Sequence, residues 1–167
     1  MTNILRQEFK QEFEKIKKEL KFKATLEELD EIFYYTDYIL HVNYMSPQLS
    51  RTLCGRMVET YSSWINFMHS IIMPNPSSMI NVEESKIFTE KEKNEMMQMM
   101  KQFMAHVSKN SVIGLTKNKI EEGQFFDDSL KLWQQNKTRL IEFKEKINKH
   151  WEIESKREKQ QYELTTI

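Results

Sequence analysis

The chain of 167 residues has few of the residues that make turns and crosslinks: three Gly, three Pro and one Cys. So few turn residues argue against a β-sandwich, barrel or propeller, and against flexible-linker and collagen-like classes. The single cysteine, Cys54, excludes an intrachain disulfide. The 25 basic and 25 acidic side chains balance. No nucleic-acid partner is therefore expected, because a neutral chain lacks the general attraction of a basic domain to phosphate.

Long apolar runs are absent as well. No stretch reaches the roughly 18 consecutive apolar residues of a membrane-spanning helix, so no membrane span is expected. The first twenty residues carry charges from Arg6 onward and have no apolar stretch typical of a secretory signal. With only one cysteine, these features predict a cytoplasmic protein. The chain is 39% hydrophobic, which is enough for a self-sufficient core, and we expect a single helical domain over residues 1–167.

Apolar residues recur at spacings of three or four, as in amphipathic helices, and no long alternating run favours a strand. The prediction is an all-α fold: a four- to five-helix, mostly antiparallel bundle with a charge-poor central hairpin and a long C-terminal helix. Residues 152–167 are expected to fray or to overhang the bundle. The predicted helices run from Leu5 to Leu20, from Thr25 to about Asn43, from Pro47 to before Pro74, from Thr89 to Asn110 or Gly114, and from about Phe125 to Tyr162.

Local signals mark several of these helix boundaries. Thr25 with Glu28, and Thr89 with Glu92, have the spacing of capping boxes. Ser46 followed by proline is typical of an N-cap. One glycine, Gly55, lies inside the third predicted helix, where it costs about 1 kcal/mol relative to alanine. We therefore expect another helix to cross closely at that point.

Charge is distributed unevenly along the chain. The 51 residues from 32 to 82, called here the charge-poor segment, contain only Asp37, Arg51, Arg56 and Glu59 as charged side chains. A helix with so little charge is normally central in a bundle. The second and third predicted helices are therefore expected to form an interior hairpin. The alternative is that part of this surface is exposed and covered by a partner.

The charged residues inside this segment define one candidate site. Arg56 and Glu59 are three residues apart and can pair along a helix, while Arg51 and Asp37 are candidates to pair across the hairpin. A structural ion network is the simpler interpretation, because buried charges need partners. The alternative is an anion-accepting pocket that binds a small ligand or substrate. Its candidate residues are Arg51, Arg56, His69 and Tyr61.

Methionine is concentrated in the fourth predicted helix. It is a flexible side chain that suits irregular cores and adaptable binding grooves. Core filling is the simpler interpretation, but these residues occupy two helix faces, so at least one face is expected to be exposed or covered by a partner. The candidate interface residues are Met96, Met97, Met99, Met100 and Met104.

Signals for metals, cofactors and catalysis are weak. None of the four histidines is preceded by Glu at the spacing of di-iron bundles, and no paired-cysteine motif occurs. No catalytic residue, metal or cofactor is predicted, and Cys54 is interpreted as a small core residue. Residues 73–88 form a long connection, expected to cover the bundle end or, alternatively, to act in recognition.

The leading hypothesis is a non-enzymatic interaction module, a homodimer or a subunit of a complex. The alternative is the anion-accepting pocket, as a ligand-binding protein or enzyme.

Overall fold

The computed structural model describes the backbone of residues 2–165 and the side chains of residues 4–157. Over this range the chain is all-α, as predicted, with seven helices and no strand. The fold has more helices than the four or five expected, because one predicted helix is divided and one predicted loop contains a helix. The helices are α1 (Thr2–Leu20), α2 (Leu26–Phe33), α3 (Tyr35–Val42), α4 (Leu49–Ile72), α5 (Met79–Lys86), α6 (Glu90–Thr116) and α7 (Lys119–Thr165).

The second predicted helix is interrupted at Tyr34, which adopts left-handed backbone angles and separates α2 from α3. The capping box at Thr25 and Glu28 is present at the start of α2, as predicted. After the break, the Asp30 carboxylate accepts the Thr36 backbone N–H at 2.7 Å and so stabilises the first turn of α3. Phe33 and Tyr35, on either side of the break, are both fully buried, whereas Tyr34 is exposed. Because the chain changes direction at Tyr34, the side chains of Phe33 and Tyr35 can both be buried in the core.

Helix α4 begins at Leu49, two residues later than the proline-based prediction. Ser46 does not cap it; its hydroxyl accepts the Gln48 backbone N–H at 3.1 Å in a tight turn before the helix. The helix ends at Ile72, before Pro74, as predicted. The predicted close crossing at Gly55 is wrong, because nothing lies within 4 Å of the Cβ that an alanine there would carry.

The connection between α4 and α6 contains the short helix α5. The Ser85 hydroxyl on this helix donates to the Ile71 carbonyl at 2.6 Å, and Phe88 is buried just beyond the helix. The segment therefore packs on the end of α4, while Met79 and Ile80 at its start remain exposed.

Helix α6 starts with the predicted capping box of Thr89 and Glu92. Its predicted end at Asn110 or Gly114 is wrong. The helix continues to Thr116, and the left-handed residue that terminates it is Lys117. Asn110 and Gly114 both lie within the helix.

Helix α7 is antiparallel to α6 and longer than its neighbours. Its 47 residues correspond to about 70 Å at 1.5 Å per residue. Ion pairs join it to α6, from Arg139 to Glu95 at 2.6 Å and from Lys146 to Glu92 at 2.7 Å. The prediction that residues 152–167 fray or overhang the bundle concerns mainly residues after 157. The side chains of these residues lie outside the described part of the chain.

Helix α4 packs against α2, α5, α6 and α7, and its most extensive packing is with α6 rather than with α2 and α3. The predicted interior hairpin is present only in part: α3 packs mainly on α1, and it contacts α4 through the Tyr38 ring, 4.8 Å from the guanidinium carbon of Arg56. Arg56 pairs with Glu59, as expected, but Arg51 does not pair with Asp37, which is exposed on α3. The charge-poor helix α4 thus packs mainly against α6, with smaller contacts to α5, α7 and α2.

The C-terminal end of α1 meets the start of α7 at close range. The rings of Phe22 and Phe126 stack with centroids 4.3 Å apart. The Asp127 carboxylate accepts the backbone N–H groups of Lys23 and Ala24, with Oδ1 at 2.9 and 2.8 Å. Between these contacts, Gly123 lies directly against the Leu20 carbonyl group, where no side chain fits. These contacts hold the first and last helices together and shape the adjacent cavity.

Candidate functional site

A cavity of about 660 Å³ lies where α1, α4, α6 and α7 meet the segment that leads into α4. This volume falls within the range of roughly 300–1,000 Å³ that is typical of small-molecule sites. Pro47, Gln48, Lys117 and Lys119 are exposed and border its mouth. Its apolar lining comes from Ile16, Met45, Leu49 and Ile113. The cavity therefore combines an apolar lining with charged and polar groups.

Arg51 enters this cavity from the first turn of α4. Its Nη2 donates to the backbone carbonyl of Asn110 at 3.2 Å. One turn further along α6, a Cβ added to Gly114 would lie 3.1 Å from the same nitrogen, so the absence of a side chain there makes room for the guanidinium group. The other terminal nitrogen, Nη1, is buried and has no hydrogen-bond partner within the described part of the chain.

Glu122 lines the same cavity from the first turn of α7, and its side chain is only 1% exposed. Its Oε2 lies 3.5 Å from Nζ of Lys119, whose side chain is 61% exposed. Its Oε1 is buried and unpartnered among the described residues. Arg51 and Glu122 do not pair with each other in the part of the chain with described side chains. Two groups of opposite charge thus line one cavity, and each keeps an unused buried atom.

The formal charges around the cavity balance. The three acidic residues are matched by three basic ones, so the lining of the cavity as a whole carries no net formal charge. The charged lining residues are Glu12, Glu19, Glu122, Arg51, Lys117 and Lys119.

The four residues predicted for an anion pocket are not brought together. Arg51 lines the cavity, but Arg56 pairs with Glu59 and its guanidinium carbon lies 4.8 Å from the centre of the Tyr38 ring. Tyr61 is buried and His69 is exposed near the end of α4. Eighteen residues of helix separate Arg51 from His69, which is about 27 Å. Of the four predicted residues, only Arg51 therefore belongs to the candidate site. Glu122, which lines the same cavity, was not predicted from the sequence.

The methionines of α6 divide between core and surface. Met96, Met99 and Met100 are buried in the chain's own core, and Met97 packs against it with partial exposure. Met104 is 52% exposed. The core-filling interpretation therefore holds for Met96, Met99 and Met100. Of the five methionines, only Met104 is more than half exposed.

A second polar group is buried in the middle of the bundle, and it was not anticipated from the sequence. Ser129 donates to the Phe125 carbonyl at 2.7 Å, and its Oγ lies 2.6 Å from Nε2 of His106. Because the serine proton is used, this contact requires a hydrogen on Nε2. Tyr61 donates to the Ser129 carbonyl at 2.6 Å. The group forms an internal hydrogen-bonded network that links α4, α6 and α7. Among the described side chains, no carboxylate hydrogen-bonds to His106 in the way that would activate the serine.

Cys54 lies in the core beside the cavity and is fully buried. Burial raises the pKa of its thiol to about 12, although the nearby Arg51 acts in the opposite direction. At neutral pH the residue is therefore a protonated thiol. A thiolate is the reactive form of cysteine, so this environment fits packing rather than nucleophilic catalysis.

The described residues contain no group of three or more His, Cys, Asp and Glu side chains positioned to hold a metal ion. No helix in the described chain has the combined length and apolar character needed to cross a membrane. No protein-family model, curated protein or solved structure matches the chain. The functional conclusion therefore rests on the site geometry alone.

Proposed function

We propose that this protein binds a small polar ligand in the cavity between α1, α4, α6 and α7. The observation that carries this proposal is the cavity of about 660 Å³, whose lining includes Arg51 and Glu122, two charged residues that do not pair with each other among the described side chains. A catalytic role has no support from an activated nucleophile, so the proposal is for binding.

The energetic argument concerns desolvation. A buried charged group that lacks a partner costs several kcal/mol, because protein and water contacts are both missing. Retaining two such groups in one cavity is costly for a structural role alone. In the present arrangement no water-sized group reaches Nη1 of Arg51 or Oε1 of Glu122. A ligand therefore recovers part of this cost only when the two side chains turn toward the cavity on binding.

We expect a library of small polar compounds of all charge types to contain ligands detectable by amide NMR shifts. The shifts should be concentrated at cavity residues such as Ile113, and saturating ligand should raise the unfolding free energy by about 2.7 kcal/mol at a concentration of 100 Kd. Arg51→Met should abolish these shifts.

Arg56→Met provides the matched control, because it removes a guanidinium group one and a half turns away on the same helix. It should retain ligand binding. Shifts that move to the surroundings of Arg56 or His69, or the absence of shifts with every compound at millimolar concentration, would contradict the proposal.

A second candidate function is self-association through the α6–α7 corner, defined as Val112, Leu115 and Ile120. Leu115 is 85% exposed, Ile120 78% and Val112 51%. Three large apolar side chains so close in the chain are typical of an interface. The zero net charge also means that two copies do not repel each other strongly. This candidate keeps the homodimer hypothesis but moves it away from the buried methionines.

Sedimentation velocity tests the homodimer. The wild-type protein should sediment as a dimer at micromolar concentration, and Leu115→Lys combined with Ile120→Lys should restore the mass of one chain, 20.3 kDa. Met79→Lys is the control, since Met79 is 83% exposed at the opposite end of α4 and should leave the dimer intact. A wild-type protein that remains a single chain at the highest concentration eliminates this candidate.

A further inference from the structure

Two aromatic rings on α4 hold the amine of a lysine from α7. The rings of Trp64 and Phe67 are nearly perpendicular, at 82°, with their centroids 5.8 Å apart. Nζ of Lys144 lies 3.7 Å from the centroid of Phe67 and 5.8 Å from that of Trp64. The ring of Trp133 lies beside Trp64, with centroids 6.1 Å apart. The Trp64–Phe67 pair thus offers two aromatic walls to one ammonium group.

We infer that Lys144 is a lysine-methylation site, and that the Trp64–Phe67 pair holds its methylated ammonium group. Aromatic walls of this kind are the usual means by which proteins bind methylated ammonium groups. None of these residues lines the cavity, so the site is independent of the proposed function.

Lys144 lacks the acceptors that an unmodified ammonium group needs for its three donors. Among the described residues it has no hydrogen-bond or ion-pair partner, and Glu84 acts on it only through its charge. Its donors are left to water, which the two rings keep away on one side. A trimethylated ammonium group has no N–H to satisfy and keeps the positive charge that the ring faces attract. The surroundings of Lys144 therefore fit the methylated form better than the unmodified one.

Lys146, two residues further along α7, shows the opposite arrangement. Its Nζ lies 5.4 Å from the centroid of the Phe88 ring, but it also donates to both carboxylate oxygens of Glu92, at 2.8 and 2.7 Å. Trimethylation there would remove both hydrogen bonds. Of these two lysines, only Lys144 has aromatic surroundings without a carboxylate partner among the described residues.

The reaction needs the neutral amine, which the position of Lys144 also favours. Burial lowers the pKa of its ammonium group below the ordinary value, although the charge of Glu84 acts in the opposite direction. The neutral nitrogen attacks a methyl group of a sulfonium donor; a C–N bond forms, the C–S bond breaks, and its electron pair leaves on the thioether. The new ammonium loses a proton to water before the next methyl group is added. Lys144 is exposed on α7, and its flexible stem lets the amine leave the rings to meet a methyltransferase.

Cysteine alkylation tests the preference of the rings by placing either form of the side chain at a chosen position. In Lys144→Cys, bromoethylamine gives an analogue of lysine, and bromoethyl-trimethylammonium gives an analogue of trimethyllysine. Cys54 is fully buried, and burial raises the pKa of its thiol to about 12, so the folded protein reacts at position 144. In urea unfolding, the trimethyl form should have an unfolding equilibrium constant about fivefold lower than that of the amine form.

Two other positions on α7 provide matched controls. Lys137 is exposed two turns before Lys144 and has no ring facing it among the described residues, so the two forms at Lys137→Cys should be equally stable. At Lys146→Cys the trimethyl form should be the less stable one, because it cannot donate to Glu92. In a Phe67→Leu background, the advantage of the trimethyl form at position 144 should disappear. Should this background fail to fold, the comparison of the three positions still decides.

Peptide mass spectrometry of the chain isolated from the organism that makes it reads the modification itself. Lys144 should carry methyl groups, while Lys137 and Lys146 should carry none. Equal stability of the two forms at position 144 would overturn the inference, because the rings would then not distinguish them. An unmethylated Lys144 in the natural protein, or methyl groups spread equally over the three lysines, would overturn it as well.

Discussion

Gly123→Ala should destabilise the fold by about 3 kcal/mol, near the upper end of the usual cost of overpacking a core. An added Cβ would overlap the Leu20 carbonyl oxygen and lie 3.0 Å from its carbon and 3.2 Å from its Cβ. The obstacle is mainly backbone, so it cannot rotate away as a flexible side chain would. Separating α1 from α7 would also disturb the Phe22–Phe126 stack and the hydrogen bonds to Asp127. Urea unfolding monitored by tryptophan fluorescence measures the loss.

The matched control for this prediction is Gly55→Ala, the same substitution inside another helix. Nothing lies within 4 Å of the new Cβ at that position, and replacing glycine by alanine in a helix stabilises it by about 1 kcal/mol. The two variants should therefore change the unfolding free energy in opposite directions. Equal and small effects of both substitutions would show that α1 and α7 do not meet as closely at Gly123 as described.

Acidification from pH 6.5 to pH 4 should cost about 3 kcal/mol of stability through His106 alone, at 1.36 kcal/mol for each unit of pKa shift. Burial lowers the pKa of this histidine to about 4 from an ordinary value of 6.5; nearby Asp128 opposes the shift and Lys109 supports it. The unfolded chain therefore binds the additional proton in this window, so stability rises with pH between 4 and 6.5 and is constant above it. The measurement is urea unfolding at pH 7.5 and at closely spaced values down to pH 4.

His106→Phe should remove this part of the pH dependence, because phenylalanine keeps the stacking on Phe125, where the rings lie 4.1 Å apart. His41→Gln, at an exposed position, should retain the wild-type dependence. Glu92 does not confuse the result: burial tends to raise its pKa, but the hydrogen bonds from Lys146 and Thr89 lower it to about 2, so its contribution is lost only below about pH 4.5. His106 accounts for about 2 kcal/mol of the loss between pH 6.5 and 4.5, so a His106→Phe variant that still loses as much stability as the wild type over this range contradicts this account.

The helices that the sequence predicted best are those defined by local signals. The stripe of α1 is buried at Phe9 and Phe13, and the capping boxes at Thr25 and Thr89 are present because their hydrogen bonds join residues three apart. These interactions depend on short-range geometry, which repeats wherever the pattern occurs.

The features that escaped prediction depend on residues far apart in the chain. Tyr34 breaks a helix so that Phe33 and Tyr35 can both be buried, and a tyrosine carries no local signal for left-handed backbone angles. Gly55 and Gly123 look alike in an amphipathic pattern, yet only Gly123 meets another helix. At the candidate site, Arg51 was identified because charge is rare around it, whereas Glu122 lies among many charged residues and is distinguished only by its burial.

The contact between α1 and α7 also has a consequence for the order in which the fold is completed. The hydrogen bond from Ala24 to Asp127 joins residues 103 positions apart. During synthesis, α1 therefore leaves the ribosome first, but one of its main partners is made only after α4 and α6 have been able to pair. At about 5–20 residues per second, part of the apolar face of α1 waits several seconds for α7. The cavity, which needs both helices, cannot form before residues up to Glu122 have been synthesised.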